Sequence, residues 1–271
     1  MMRLHSAAFA ALVLLPLLTA CSAFMVPGMK EQRAEYVAPD YHVADDAKTT
    51  KRMAAQRRLS LAEQRLNAGD LKTAEAEAAA ALKADPASAD ALTLLAVIAD
   101  KKGASAQAGD YFKRAAEAAP KQGGALNNYG AWLCGHGFPA ESLVWFDRAL
   151  AAPGYGTPES ALANAGGCAL KAGQYERADR DLRKALSIAP QNAYALAALA
   201  ESEYRQGRYF EARAFTERRL AAAPANAAVL QLAAGIEEKL GDKAAASRYV
   251  QRLRAEFPDV VTADPWGKTR P

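Results

Sequence analysis

Six glycines divide this chain like a ruler. Gly69, Gly103, Gly137, Gly173, Gly207 and Gly241 are 34, 34, 36, 34 and 34 residues apart, and each is followed about 17 residues later by a proline: Pro86, Pro120, Pro153, Pro190, Pro224 and Pro258. Glycine permits a tight turn between two helices, proline ends the second helix, and about 13 residues between them make a helix of three to four turns. Each unit can be counted from fourteen residues before its glycine. The eighth position then reads Ala62, Ala96, Gly130, Gly166, Ala200 and Ala234, and the twentieth reads Ala74, Ala108, Ser142, Ala178, Ala212 and Ala246. Small residues at both let paired helices approach closely. The fourth position holds Leu92, Leu126, Leu162, Leu196 and Leu230, with Arg58 the exception, and Phe112, Phe146, Leu182 and Val250 fill the twenty-fourth.

This period and these positions resemble the tetratricopeptide repeat (TPR) family. The resemblance implies an all-α fold, a right-handed TPR superhelix of six helix-turn-helix repeats at 55–88, 89–122, 123–158, 159–192, 193–226 and 227–260. Such a solenoid presents a concave surface lined mainly by the first helix of each repeat. By the TPR analogy the second, fifth, ninth and twelfth positions face inward, which places a partner-binding groove at Asn127, Ala131, Cys134, Ala163, Gly167, Leu170, Tyr194 and Tyr204. A small, nearly neutral floor lets another chain come close, and tyrosine adds apolar area with a polar handle. The same small residues would equally serve tight helix packing alone. Two extra residues in the third repeat, within 151–158, read either as a tolerated surface insertion or as a projecting loop with Tyr155 as an exposed contact.

The N-terminus carries a separate signal. Arg3 precedes an apolar run, Ala7 to Leu18, too short to span a bilayer, and Leu18-Thr19-Ala20-Cys21 follows. That order resembles the bacterial lipobox, in which the cysteine thiol receives diacylglycerol and becomes the first mature residue. An ordinary secretory signal with a chance cysteine is the plainer alternative. Residues 1–20 are therefore expected to be a lipoprotein signal peptide, Cys21 the lipidated residue, 21–54 a tether and 261–271 a C-terminal tail without a seventh helix. Several acyl chains on one residue suffice for stable attachment. Ser22 stands where bacterial lipoproteins held at the inner membrane commonly carry Asp, so the expected location is the periplasmic face of the outer membrane of a Gram-negative bacterium.

Composition excludes more than it selects. A hydrophobic share of 51% is dominated by alanine, with aromatics at 8%, which suits close-packed helices. The net charge of +4 forms no basic stripe of the kind nucleic acid requires. Of three histidines only His136 falls within the repeats, no carboxylate pair stands apart from ordinary helix faces, and no glycine-rich phosphate loop follows a strand. The expectation is a binding protein, not an enzyme, with no cofactor, no metal and no small-molecule substrate.

Two further features sharpen the reading. Asn127-Asn128-Tyr129-Gly130 with the extended turn after the third repeat, joined to a lipobox, a short tether and six TPR units, resembles the type IV pilus biogenesis lipoproteins of the PilF/PilW type. The resemblance implies a pilotin, which binds the pilus secretin and promotes its outer-membrane localisation and multimerisation. A TPR lipoprotein adaptor regulating envelope enzymes such as peptidoglycan hydrolases or proteases is the alternative. Cys134 and Cys168 lie late in neighbouring first helices. A disulfide needs Cα atoms within about 7 Å, whereas packed helix axes are about 8–10 Å apart. Two free thiols are expected, Cys134 being nearer the groove and the more reactive.

Overall fold

The computed structural model describes residues 46–261. The signal peptide, Cys21, most of the tether and the tail beyond Val261 lie outside the described residues. Twelve helices alternate in pairs: α1 (Ala47–Asn67) and α2 (Leu71–Ala84), α3 (Ala89–Lys101) and α4 (Ser105–Ala118), α5 (Gly123–Gly135) and α6 (Pro139–Ala151), α7 (Pro158–Lys171) and α8 (Tyr175–Ile188), α9 (Ala193–Arg205) and α10 (Tyr209–Ala222), α11 (Ala227–Leu240) and α12 (Lys243–Glu256). A single turn, α13 (Pro258–Val261), follows. Each helix packs on its partner and on the next helix, and first helices also touch the first helix of the adjoining repeat. The result is the all-α TPR superhelix that the period implies.

Local chemistry accounts for the boundaries. The six ruler glycines all adopt positive φ, from 74° at Gly173 to 92° at Gly137, the left-handed conformation in which a Cβ is costly. Second helices stop just before their prolines. Ser88, Asn192 and Asn226 cap α3, α9 and α11 by accepting from the backbone N–H three residues on, while Asp70 and Asp242 do so for α2 and α12. Pro139 and Pro158 start α6 and α7, where a missing N–H costs nothing.

All twelve small residues at the eighth and twentieth positions are buried. Two of them show why size matters. A Cβ on Gly130 would stand 2.9 Å from the Phe146 ring, and one on Gly166 would stand 2.5 Å from Leu182 Cγ and 3.1 Å from the Ala178 carbonyl oxygen. Phe146 and Leu182, both fully buried, thus occupy the room the glycines vacate. Arg58 departs from the leucine pattern because α1 is the edge of the stack: it is exposed and reaches Glu77 of α2 at 2.9 Å.

Three features differ from the sequence reading. Helix α1 starts at Ala47, where the helical period of the sequence sets in at about Asp46, so the last eight residues of the expected tether are helical, and α1 is 21 residues long against 13 for α3. The chain after Glu256 adds the turn α13. Tyr155 does not project: it is half-buried, packs with the cluster of Phe112, Leu126 and Tyr129, and its ring lies over Gly123, where a Cβ would be 2.5 Å away. The extended turn has folded back because Gly123 offers the aromatic ring bare backbone to cover.

Helix propensity alone favours Ala over Gly by about 1 kcal/mol. Gly166→Ala should nonetheless destabilise the protein, by about 1–3 kcal/mol, because its methyl meets Leu182 and backbone. Urea midpoints check this, and most of the loss should vanish when Gly166→Ala is made in a Leu182→Ala background.

Candidate functional site

The first helices α7, α9 and α11 lie side by side, and their inward faces enclose a hollow of about 550 Å³. Its floor is Gly167 and Leu170 from α7, Tyr194, Ala197, Ala198 and Tyr204 from α9, and Ala228, Val229, Gln231 and Leu232 from α11. Lys171, Glu201 and Arg205 stand around it, with Glu201 and Arg205 paired one turn apart. The hollow is therefore apolar within and charged around its margin.

Glycines set the tyrosines. The hydroxyl end of Tyr194 rests on the backbone of Gly167, where a Cβ would come within 2.1 Å of the oxygen, while the ring as a whole remains 48% exposed. On the other side of α9, the Tyr204 hydroxyl would be 3.4 Å from a Cβ on Gly235. Burial of its hydroxyl raises the Tyr194 pKa above the ordinary tyrosine value, and Glu201 adds to the shift. Tyr194 is thus a neutral phenol at physiological pH, with one face offered to the groove.

The expected groove residues separate into two sets. Gly167, Leu170, Tyr194 and Tyr204 line one hollow. Asn127, Ala131, Cys134 and Ala163 do not line it. Ala163 is packed into the cluster shared by α5 to α9, and beside it Asn164 of α7 donates to Asn127 Oδ1 of α5 at 3.0 Å. Ala131 is exposed on α5. Residues of α11 were absent from the expected set, although the same second and fifth positions, carried one repeat further, lead to Ala228 and Gln231. Val229 and Leu232, one residue beyond each, carry no such signal.

Cys134 requires a correction. It is joined to Cys168 in a disulfide with Cα atoms 5.9 Å apart, so neither thiol is free and Cys134 is not a reactive group. The distance between helix axes is the wrong measure. Each Cα sits about 2.3 Å off its axis, so facing Cα atoms on helices 8–10 Å apart come within bridging range. His136, two residues on, is engaged with Trp132: Nδ1 lies 2.8 Å from the Trp132 carbonyl oxygen and the rings stack at 4.4 Å. Among the described residues no group of three or more His, Cys, Asp or Glu is placed to hold a metal ion, and no helix is long and apolar enough to cross a membrane.

Comparison with known proteins bears on both fold and role. Tetratricopeptide repeat models match residues 59–123 and 169–236. The crystal structure of PilW, described as a widely conserved type IV pilus biogenesis factor, is 32% identical, with a TM-score of 0.71 over 76% of this chain and 94% of that one. PilF of Pseudomonas aeruginosa is 22% identical, with a TM-score of 0.70 over 78% and 95% of the two chains. A tetratricopeptide repeat protein from Parabacteroides merdae is 20% identical, with a TM-score of 0.60 over 75% and 80%. Among curated proteins none matches in sequence.

The bridge closes a loop across a separation of 34 residues, which in the chain-entropy model stabilises by about 3–4 kcal/mol. Cys134→Ser with Cys168→Ser should lower the urea unfolding free energy by that amount. Alkylation of the denatured, unreduced Cys21→Ser chain should label neither cysteine until a reductant is added.

Proposed function

Because the chain belongs to the family of PilW, the type IV pilus biogenesis factor, we propose that it serves pilus assembly as a pilotin, binding the pilus secretin and promoting its multimerisation at the outer membrane. The chain is a TPR protein of type IV pilus biogenesis, and the TPR fold acts through protein–protein contact. The observation that carries the finer reading is the hollow over α7, α9 and α11: an apolar, concave floor with two tyrosines and a charged margin, suited to a segment of another protein. Close approach of that segment is possible because Gly167, Ala197, Ala198 and Ala228 keep the floor low.

Two features support an envelope location. The Leu18-Thr19-Ala20-Cys21 sequence fits lipid attachment at Cys21, and the Cys134–Cys168 disulfide suits an oxidising compartment such as the periplasm. In this reading the protein is held on the periplasmic face of the outer membrane, and it acts by binding, without catalysis.

The groove is tested by co-capture of the secretin. Tyr194→Ala combined with Leu232→Arg should weaken capture about thirty-fold, the effect of losing an interface centre, whereas Gln251→Arg on the exposed face of α12 should not. Matching thermal melts establish that the variants are folded. Equal capture by all three would move the site off this groove, and capture of an envelope hydrolase in place of the secretin would favour the adaptor reading.

The anchor has its own test. Cys21→Ser should move the protein from the outer-membrane fraction to the soluble periplasm and abolish labelling by a radioactive fatty acid. Unchanged fractionation would remove the lipoprotein reading.

A further inference from the structure

The positive charge of this protein is concentrated in one helix. Helix α1 contains Lys48, Lys51, Arg52, Arg57, Arg58 and Arg65 against a single acid, Glu63, while residues 68–261 hold equal numbers of acidic and basic side chains. The first turns of α1 also run beyond the length of a repeat helix and border an open cleft beside the α2–α3 connection. At 21 residues it exceeds α3 by eight, about 12 Å at 1.5 Å per residue. Thr50, Lys51, Arg52, Met53 and Ala54 are all exposed, and the first fully packed residue is Ala55.

Helix formation does not explain this arrangement. The N-terminal end of a helix carries partial positive charge, so cations there are unfavourable. Five other helices hold an acid in the first turn, Asp90, Glu141, Glu159, Glu176 and Glu211, and α2 and α12 hold a single lysine there, Lys72 and Lys243. In α1 only the cap, Asp46, is acidic; it accepts from Thr49 N at 2.6 Å, and lysines and arginines follow. Arg58 is used internally, in its pair with Glu77. Lys51, Arg52 and Arg57 are exposed and have no ion-pair partner among the described residues.

We infer that the exposed cationic turns of α1 are a docking surface for anionic lipid headgroups. The reasons are charge and chain length. Twenty-five residues separate Cys21 from Ala47, a span that cannot exceed about 90 Å even fully extended, so α1 is the repeat helix tied nearest to the lipidation site. The acyl chains at Cys21 would suffice for attachment by themselves, so what a cationic patch adds is contact between α1 and the headgroup plane. An acidic peptide fits less well. Lys51 and Arg52 border a cleft of about 770 Å³ whose opposite wall carries Asp85 and Asp90, so a peptide carboxylate entering it would meet like charge. A plane of phosphates is too broad to enter the cleft and meets α1 from the solvent side, where Lys51, Arg52 and Arg57 are exposed. Docked in this way, α1 would orient the solenoid at the membrane, a task that a lipid chain alone cannot perform.

The inference uses anchoring at Cys21 for its geometry, so it is tested on the acyl-free mature chain, Cys21→Ser, where failure of one idea does not mimic failure of the other. Co-sedimentation with vesicles of phosphatidylcholine containing phosphatidylglycerol should show binding that neutral phosphatidylcholine vesicles do not. Molar salt should abolish it, since the screening length falls from about 10 Å at 0.1 M to about 3 Å at 1 M. Lys51→Gln, Arg52→Gln and Arg57→Gln together should lower partitioning about a hundred-fold, at about five-fold per charge removed. A control triple on the last repeat, Lys239→Gln, Lys243→Gln and Arg254→Gln, should retain the parent value, and circular dichroism should show both triples folded. Absence of binding by the parent, equal binding to neutral vesicles, or an equal loss in the control would overturn the inference. Unaltered vesicle binding by the α1 triple, with loss of secretin capture, would assign the patch to a protein partner and overturn it as well.

Discussion

A solenoid has no central core; its apolar interior runs from repeat to repeat, and here each helix pair joins it by keeping side chains small where the two helices meet. Ala200 and Ala212, or Ala62 and Ala74, are buried completely although they contribute little apolar area. Their value lies in proximity: with little side chain between backbones, the larger Leu126, Phe146, Leu182 and Leu196 interdigitate around the crossing and exclude water. In two repeats the small residue shrinks to glycine to make room for the filler, Gly130 beneath Phe146 and Gly166 beneath Leu182. The weaker helix propensity of glycine is the cost of that fit, and close packing on Phe146 and Leu182 offsets it.

Contacts between repeats must then hold the stack together, and in the C-terminal half they are unusually polar. Glu203 of α9 is fully buried and accepts from Arg183 of α8, at 2.9 Å, and from Arg208. Glu237 of α11 accepts from two of the three guanidinium nitrogens of Arg213 from α10, Nε and Nη2. The Arg183–Glu203 and Arg213–Glu237 ties cross repeat boundaries, as does the Cys134–Cys168 bridge between α5 and α7, while Arg208 holds Glu203 from within the same repeat. A buried carboxylate is strongly destabilising when its partner is removed, so these ties penalise any sliding of one repeat over the next more sharply than apolar contact would. They surround the helices that carry the tyrosine-lined hollow, which is thereby held in one shape.

The period of the repeats is readable because glycine and proline act locally: each enforces its turn or its stop whatever surrounds it. The groove is less readable because burial depends on neighbours. Ala163 satisfies the positional rule as well as Gly167 does, yet it packs into the cluster shared by α5 to α9 and does not line the hollow, while the low backbone at Gly167 gives Tyr194 a place to lie. Tyr155 looks exposed in an inserted turn, but a glycine 32 residues earlier provides its seat. The disulfide requires knowledge of how Cα atoms face one another across two helices, which a heptad-like count along one helix does not contain. Helix α1 outruns its repeat because, among the described residues, no helix precedes it to dictate where it must begin.

These features divide the molecule by position along the stack. Helices α1 and α7 are three first-helix steps apart, about 24–30 Å at 8–10 Å per packed pair. In the proposed arrangement the cationic end meets headgroups while the hollow over α7, α9 and α11 meets a protein segment at that distance from the lipid. The intervening repeats then act as a spacer whose rigidity matters. A stack that flexed between α3 and α7 would let the hollow sample many heights and angles, and ordering those on each encounter would weaken binding. The bridge between α5 and α7 lies at the junction where the spacer ends and the hollow begins, and there the two extra residues of the third repeat interrupt the regular period. A covalent tie at the one irregular junction keeps the two ends in fixed register despite that interruption.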